Sequence, residues 1–358
     1  MTQVYLTVDV ECREERYVGK ALLPAAGYDL RVFGRFANQK RELGIDLIMG
    51  NLDEFGLKAT FFVEPIGSAF FGLGGLSSVC RTIRERGHDV QLHIHPGQAQ
   101  AFWISKNESL SSDNLADYPL EKQTAFLRRG MDILEEAGVP RGEIVAFRAG
   151  NFGGDNDTWK AMKENGLRVS STYNPSYLAS DCKIRWPKIE AGLFDTGCGV
   201  WELPVTNFRE PGGAFRPLQV TAVGLPEMKH LLLQAHRLGL QEITLVTHSF
   251  EFFHLDSVAQ RSGRINLVNA RRLRGICRFL SEHADLFKVK TLADLAKDLP
   301  TIPRQSMSQF PRGRRDLKAL RLVDQVYKRI EARYPFEVHL PMIGSWERRD
   351  IWPRGTAC

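Results

Sequence analysis

The chain has 358 residues, of which 43% are hydrophobic and 25% charged, the proportions of a globular protein with a sizeable core. No run of about 18 apolar residues offers a bilayer span, and the 6 cysteines lack CxxC or zinc-finger spacing, which excludes a metal-finger frame and reads as reduced thiols. The formal charge of +6 is uneven: residues 304–358 hold 12 Lys and Arg against 6 Asp and Glu, and the rest of the chain is balanced.

A surplus of this size suits an acidic substrate or peripheral contact between the basic tail and an anionic membrane, and does not suggest nucleic acid. The opening MTQVYLTVDV alternates like a strand and carries no secretory pattern, so the expected location is cytoplasmic, with a possible seat at the inner membrane face.

Apolar and β-branched runs predict strands at Val4–Val10, Ala59–Val63, Val90–His95, Ile144–Ala149, Val169–Tyr173, Val200–Thr206 and Ile243–His248. Helical periodicity predicts Arg41–Phe55, Ser77–Arg86, Lys122–Ala137, Asp157–Asn165, Pro226–Leu238 and Ala270–His283, several closing on glycine (Gly56, Gly87, Gly138, Gly166, Gly239). Strand and helix alternating over about seven units predict a parallel sheet, most simply a barrel. An open doubly wound sheet competes, but no GxGxxG or GxxxxGK[ST] opens the first helix.

Irregular insertions at Glu11–Asn38, Gly97–Pro119 and Asn174–Gly199 follow strands, where a barrel builds its substrate walls. Residues 1–300 read as one catalytic barrel and 301–358 as a basic extension, with Thr301–Arg315 a linker and Asp316–Arg333 an amphipathic basic helix.

The stretch GHDVQLHIHP carries the first chemical signal. Side chains alternate across a strand, so His93 and His95 share one face while Val90, Leu92 and Ile94 face helices on the other. Two imidazoles on one face are half of a metal site, and catalysis by a divalent ion wants a third His or carboxylate ligand and an open position.

The first strand ends in VDVE, so Asp9 and Glu11 also share a face; the fourth carries Arg148 in FRAGNFGG; the last ends in His248, with Glu251 three residues on. Assembled, a metal held by Glu11, His93 and His95 lowers the pKa of water from about 15.7 towards roughly 7. Asp9 takes the water's proton, His248 as imidazolium protonates the leaving group, and Arg148 keeps Asp9 ionised and oriented. Zinc is the first expectation for the metal, with cobalt, nickel or manganese as alternatives, and the reaction is hydrolysis of an amide or ester. Glu251 is a candidate for raising the pKa of His248.

On these residues the chain resembles the polysaccharide deacetylase family, the chitooligosaccharide and peptidoglycan N-acetylglucosamine deacetylases, over about residues 4–298. The matches are the acidic pair Asp9 and Glu11, the ATFF strand at Ala59–Phe62, GHDV before the histidines, Arg148, Trp201 in VWELPV, and Leu245 with His248.

The resemblance implies a deformed (β/α)7 barrel, a metal-dependent deacetylase, and substrate-lining places for Trp201 and Leu245; Asn151 and Glu251 are further candidates to line substrate. It implies an acetylated sugar, oligosaccharide or lipid-linked saccharide as substrate. Only Ile94 separates His93 from His95, where the family usually has three residues, and the second acid, commonly Asp, is Glu11. These departures place the chain in a divergent branch; with no export signal visible, the resemblance fits a cytoplasmic step in making a surface polysaccharide or glycolipid.

Two other readings stay open: a sugar-binding barrel without catalysis, and a hydrolase of a non-sugar amide such as a ureide. A sugar-chain enzyme predicts an open groove with exposed aromatics such as Phe102, Trp103, Trp186 or Trp201.

Overall fold

The computed structural model describes residues 1–18, 20–99, 112–299 and 306–333. Its centre is a curled sheet in the order β7-β1-β2-β3-β4-β5-β6, all parallel: β1 (Thr2–Val10), β2 (Thr60–Val63), β3 (Asp89–Ile94), β4 (Ala146–Ala149), β5 (Val169–Ser170), β6 (Trp201–Glu202) and β7 (Glu242–His248). Phe194–Asp195 adds an antiparallel edge to β6. A further strand, β8 (Phe287–Lys290), pairs with the first half of β1, whose second half pairs with β2.

Between β6 and β7 the ring closes through single hydrogen bonds. Leu203 N–H donates to the Ser170 carbonyl and Val205 N–H to that of Tyr173; Leu218 N–H donates to Thr206, and Val220 N–H to Val246. That irregular closure is the deformation of the predicted (β/α)7 barrel. It also explains why the predicted strands Val169–Tyr173 and Val200–Thr206 are regular for only two residues each.

Alternation along β1 decides its two faces. Val4, Leu6, Val8 and Val10 face the helical layer in the main core, and Tyr5 faces the interior of the ring. The helical layer contains α1 (Ile45–Glu54), α2 (Leu73–Glu85), α3 (Leu120–Glu136), α4 (Asn156–Glu164), α5 (Leu225–Arg237) and α6 (Leu267–Glu282). All five glycines predicted to end helices have positive φ, the conformation a side chain resists. On β3, Leu92 and Ile94 press against α3 at Gly130, where a Cβ would lie 2.5 Å from Ile94 Cδ1.

The ring is plugged at the strands' amino ends by α7 (Leu292–Asp298), which with β8 lies outside the predicted set. Leu292 N–H donates to Thr60 Oγ1 and Ala293 N–H to Asp89 Oδ2, at the first residues of β2 and β3. Leu292 and Leu295 then fill the interior together with Tyr5, Phe62, Val145 and Leu203. With that end closed, only the carboxyl ends of the strands can open into a site.

The stretch read as a linker is fastened to the barrel where it is described: Met307 O accepts from Ala191 N–H, Pro311 O from Arg209 N–H, and Gly313 N–H donates to Arg209 O. It leads into α8 (Arg315–Arg333). Among the described residues no helix is long and apolar enough to cross a membrane.

Candidate functional site

Parallel register places Asp9 of β1 opposite His248 of β7, and His93 of β3 opposite Arg148 of β4. Paired residues of parallel strands point to the same face, here the interior. Curvature does the rest: two strands separate β4 from β1, yet Arg148 Nη1 reaches Asp9 Oδ1 at 2.7 Å.

Arg148 is fully buried, and two further donors go to Ser171, whose carbonyl accepts from Nε at 3.1 Å and whose Oγ accepts from Nη2 at 3.0 Å. Phe62 lies beneath the guanidinium, 4.3 Å from centroid to Cζ. An arginine so held has one orientation, and it leaves Asp9 Oδ2 facing His248 Nε2 across 3.8 Å.

Glu11, His93 and His95 form the second part of the site. Each imidazole has one nitrogen committed to an acceptor: His93 Nδ1–H donates to the Arg148 carbonyl at 2.8 Å, and His95 Nδ1–H to Asp113 Oδ2 at 2.7 Å. Those bonds set the tautomers, so both Nε2 lone pairs point at Glu11 Oε1, each from 3.3 Å. Three acceptors facing one point repel unless a cation lies among them.

Tetrahedral bonds of about 2.1 Å would space donor atoms by roughly 3.4 Å, and the three ligand atoms lie within 4.8 Å of one another. The donor set fits a divalent metal. Burial would raise Glu11, but His95 and His93 outweigh it and hold its carboxyl well below the usual range. Before an ion binds, a proton serves in its place: burial would depress His95, but Glu11 and Asp113 together hold its pKa well above the usual range, and an ion would displace that proton to reach the Nε2 lone pair.

His248 ends β7 with Nδ1 3.1 Å from Glu251 Oε1. Burial alone would lower its pKa, but the Glu251 charge, helped by Asp9 and Glu11, pushes it up to about 9. Glu251 is itself fixed: Oε1 accepts from Gln219 Nε2 and Thr221 Oγ1, and Oε2 from Thr247 Oγ1 and the His248 N–H. This corrects the substrate-lining place expected for Glu251, whose oxygens are occupied in orienting and charging His248.

Leu245 is corrected as well. It pairs with Leu6 in register, three residues before His248, and so falls on the opposite face, buried in the helix-facing core. Trp201, also expected to line substrate, packs against the plug cluster of Leu292 and Leu295. Its register partner Val169 pairs with Ala146, two residues short of Arg148. Trp186 stacks on Phe194 and meets Trp159 edge-on, so it too belongs to the packing. Phe102 and Trp103 lie outside the described residues.

Asn151 does stand at the rim. It is exposed, has φ of 55°, and its Nδ2 donates to Asp113 Oδ2 at 3.1 Å. Phe152 follows with φ of 57°, and two successive non-glycine residues in the left-handed region are strain of the kind stored beside sites. The turn brings Gly150 under His95, where a Cβ would lie 2.5 Å from the ring.

Several contributors escaped the sequence reading. Asp113 sits in an irregular insertion without pattern, and Ser171 follows a strand too short to show alternation. Phe250, whose ring is 5.1 Å from that of His248, reads as another core aromatic. Glu64 is buried after β2, accepts from the Ile66 and Gly67 N–H groups, and is pushed up to about 8 by burial. Only its place at a strand end could have marked it.

No family model matches the chain, and neither does any curated protein. Solved structures similar to it are those of deacetylases of the family that the sequence resembles, among others. A provisionally named polysaccharide deacetylase from Mycobacterium smegmatis is 22% identical over 75% of this chain and 81% of its own, with a TM-score of 0.46. A family 4 carbohydrate esterase from Streptomyces lividans, in complex with acetate, is 13% identical over 80% and 91%, with a TM-score of 0.38. A 4-alpha-glucanotransferase from Thermococcus litoralis also scores 0.46, at 12% identity over 87% of this chain and 40% of its own. None of these scores reaches 0.5, and the site's chemistry follows from its own side chains.

Proposed function

We propose that this chain is a metal-dependent hydrolase that removes an acetyl or other acyl group from the nitrogen or oxygen of a sugar, as in making a polysaccharide or glycolipid. The observation that carries the reading is the meeting of Glu11 Oε1 with the Nε2 lone pairs of His93 and His95, beside an Asp9–Arg148 pair and a charged His248. Glu11, His93 and His95 would hold the ion, zinc first among the divalent metals; when bound it supplies Lewis acidity that makes water nucleophilic at neutral pH.

The chain's own groups divide the proton work. Asp9, turned by Arg148 so that Oδ2 faces inward, accepts the proton of the attacking water. His248, held protonated by Glu251, stands 3.8 Å from that oxygen and donates to the departing amine or alkoxide. Asp113 keeps the His95 ring in its ligating tautomer. Asn151, exposed beside Asp113, is placed to meet substrate at the rim.

The test uses the full chain loaded with zinc, and measures acetate release from nucleotide-linked and lipid-linked acetamido sugars. Release that disappears with the metal and with Asp9→Asn supports the reading. A sample that takes up none of zinc, cobalt, nickel or manganese would instead favour a sugar-binding barrel. A loaded sample active only on ureides would move the reaction to a non-sugar amide.

A further inference from the structure

Helix α8 is docked the opposite way from an ordinary surface helix. Its inner face is charged: buried Arg321 donates to Glu227 Oε2 at 2.9 Å and to Glu210 Oε1 at 2.5 Å, and Lys318 donates to Glu210 Oε2 at 2.7 Å. Further along, Asp324 pairs with Arg272 at 3.0 Å, Glu331 Oε1 accepts from the Leu267 N–H, and the Ala332 carbonyl accepts from Arg264. Directional contacts along the whole inner side leave no freedom to roll the helix over.

Its outer face is apolar. Leu320, Leu322, Val323, Val326 and Ile330 are each 45–56% exposed, and with exposed Ala319 the positions 319, 323, 326 and 330 recur at helical spacing along one stripe. Arg312, Arg314, Arg315 and Arg329 are exposed on the same segment. Asp316 is the one exposed acid among residues 306–333 that are described, and Arg314 pairs with it at 2.7 Å.

From this we infer that the outer face of α8 is a seat for an anionic lipid bilayer, with the apolar stripe entering the headgroup boundary and the arginines meeting lipid phosphates. The charge argues for this occupant over a second copy, because two such faces would set arginines against arginines. At about 1.5 Å per residue the helix is roughly 28 Å long and lies flat rather than spanning. Its end, Ala332, lines a cleft of about 330 Å³ together with Phe250, the neighbour of His248, so a bilayer under α8 lies beside the candidate site. This inference is independent of the reaction the site performs.

Vesicle sedimentation of the full chain tests it, comparing phosphatidylcholine alone with phosphatidylcholine carrying about 30% phosphatidylglycerol. Partitioning should be more than about tenfold stronger on the anionic vesicles, fall in about 0.5 M salt, and be lost in Val326→Glu/Ile330→Glu, whose side chains leave the ion pairs untouched. If that variant melts early, hydrogen exchange of residues 319–330 in the unaltered chain decides, slowing only with anionic vesicles. No binding, equal binding to both vesicles, or unchanged binding by an intact double variant overturns the inference. So does a dimer in light scattering that Val326→Glu disperses, which would assign the face to a second copy.

Discussion

Arg148 and Arg321 are both buried to 1% or less and both grip a carboxylate, Asp9 at 2.7 Å and Glu227 at 2.9 Å. Around Arg321 each carboxylate has a cation in contact, Glu210 being held down to about 2, against the effect of burial, by Lys318, Arg216 and Arg321. The charges are paired among themselves, and the pairs hold a helix. Around Arg148 the pair is left open: Asp9 Oδ2 faces His248, and the Arg148 carbonyl turns His93 so that its lone pair joins two other acceptors. A buried ion pair is therefore no mark of a site by itself. The mark is the convergence of several ligand atoms from different strands on one point beside it.

The sharpest way to break this contrast is to remove one of the converging ligands. His93→Ala and His95→Ala should each abolish metal binding measured by mass spectrometry, with activity falling to background, because each removes one of three ligands. Full occupancy in the His95 variant would leave Glu11 and His93 with a different third partner.

Asp9→Asn keeps the shape and an acceptor for Arg148, so the metal should stay while kcat falls by about 10² to 10⁴. Loss of metal instead would exchange the roles of Asp9 and Glu11.

Arg321→Met tests the Arg321–Glu227 pair. Unfolding free energy should drop by about 3–5 kcal/mol, since Glu227 is left buried without its partner, while the activity of the remaining folded protein is unchanged. A fall in kcat per folded molecule would couple α8 to the site and erase the distinction drawn above.

Gly150→Ala places a methyl against the His95 ring and should weaken metal affinity by about 10- to 100-fold, the usual cost of disturbing a ligand's support. Calorimetric titration with zinc reads this directly.

The smallest effect is in pH. The raised pKa of His248, about 9, means the protonated form persists through neutrality, so kcat/KM should fall only above about pH 9, by roughly tenfold per unit. His248→Asn should remove that alkaline limb. The linkage has the same sign: a folded pKa above the unfolded value of about 6.5 contributes stability that is full below 6.5 and lost as pH rises through 9. Thermal melts of the unaltered chain and His248→Asn should converge over that window.

Alternation made much of this legible. Period two placed Asp9 with Glu11 and His93 with His95, and all four side chains reach the candidate site in the structure. The same rule, applied to β7, would have put Leu245 on the wrong face from His248, three residues away; family resemblance suggested it regardless, and burial overrules it. Trp201 failed because a tryptophan in a short strand carries no signal of which end of the barrel it occupies. Asp113 was invisible because its role depends on where an irregular insertion folds back, which no local pattern encodes.

By itself the sequence determined what nearest neighbours along the chain can determine: strand phase, helix ends at glycine, and the ligand and acid types at strand ends, all consequences of backbone geometry and residue chemistry. Tertiary structure alone decided what depends on distance across the fold. Sheet curvature brought Arg148 over two strands to Asp9, the plug of α7 left one end open, the Arg148 carbonyl and Asp113 chose the histidine tautomers, and ion pairs to Glu210, Glu227 and Arg272 turned the apolar side of α8 outward. Each of these rests on contacts between residues far apart in the chain, whose meeting is a property of the packed whole.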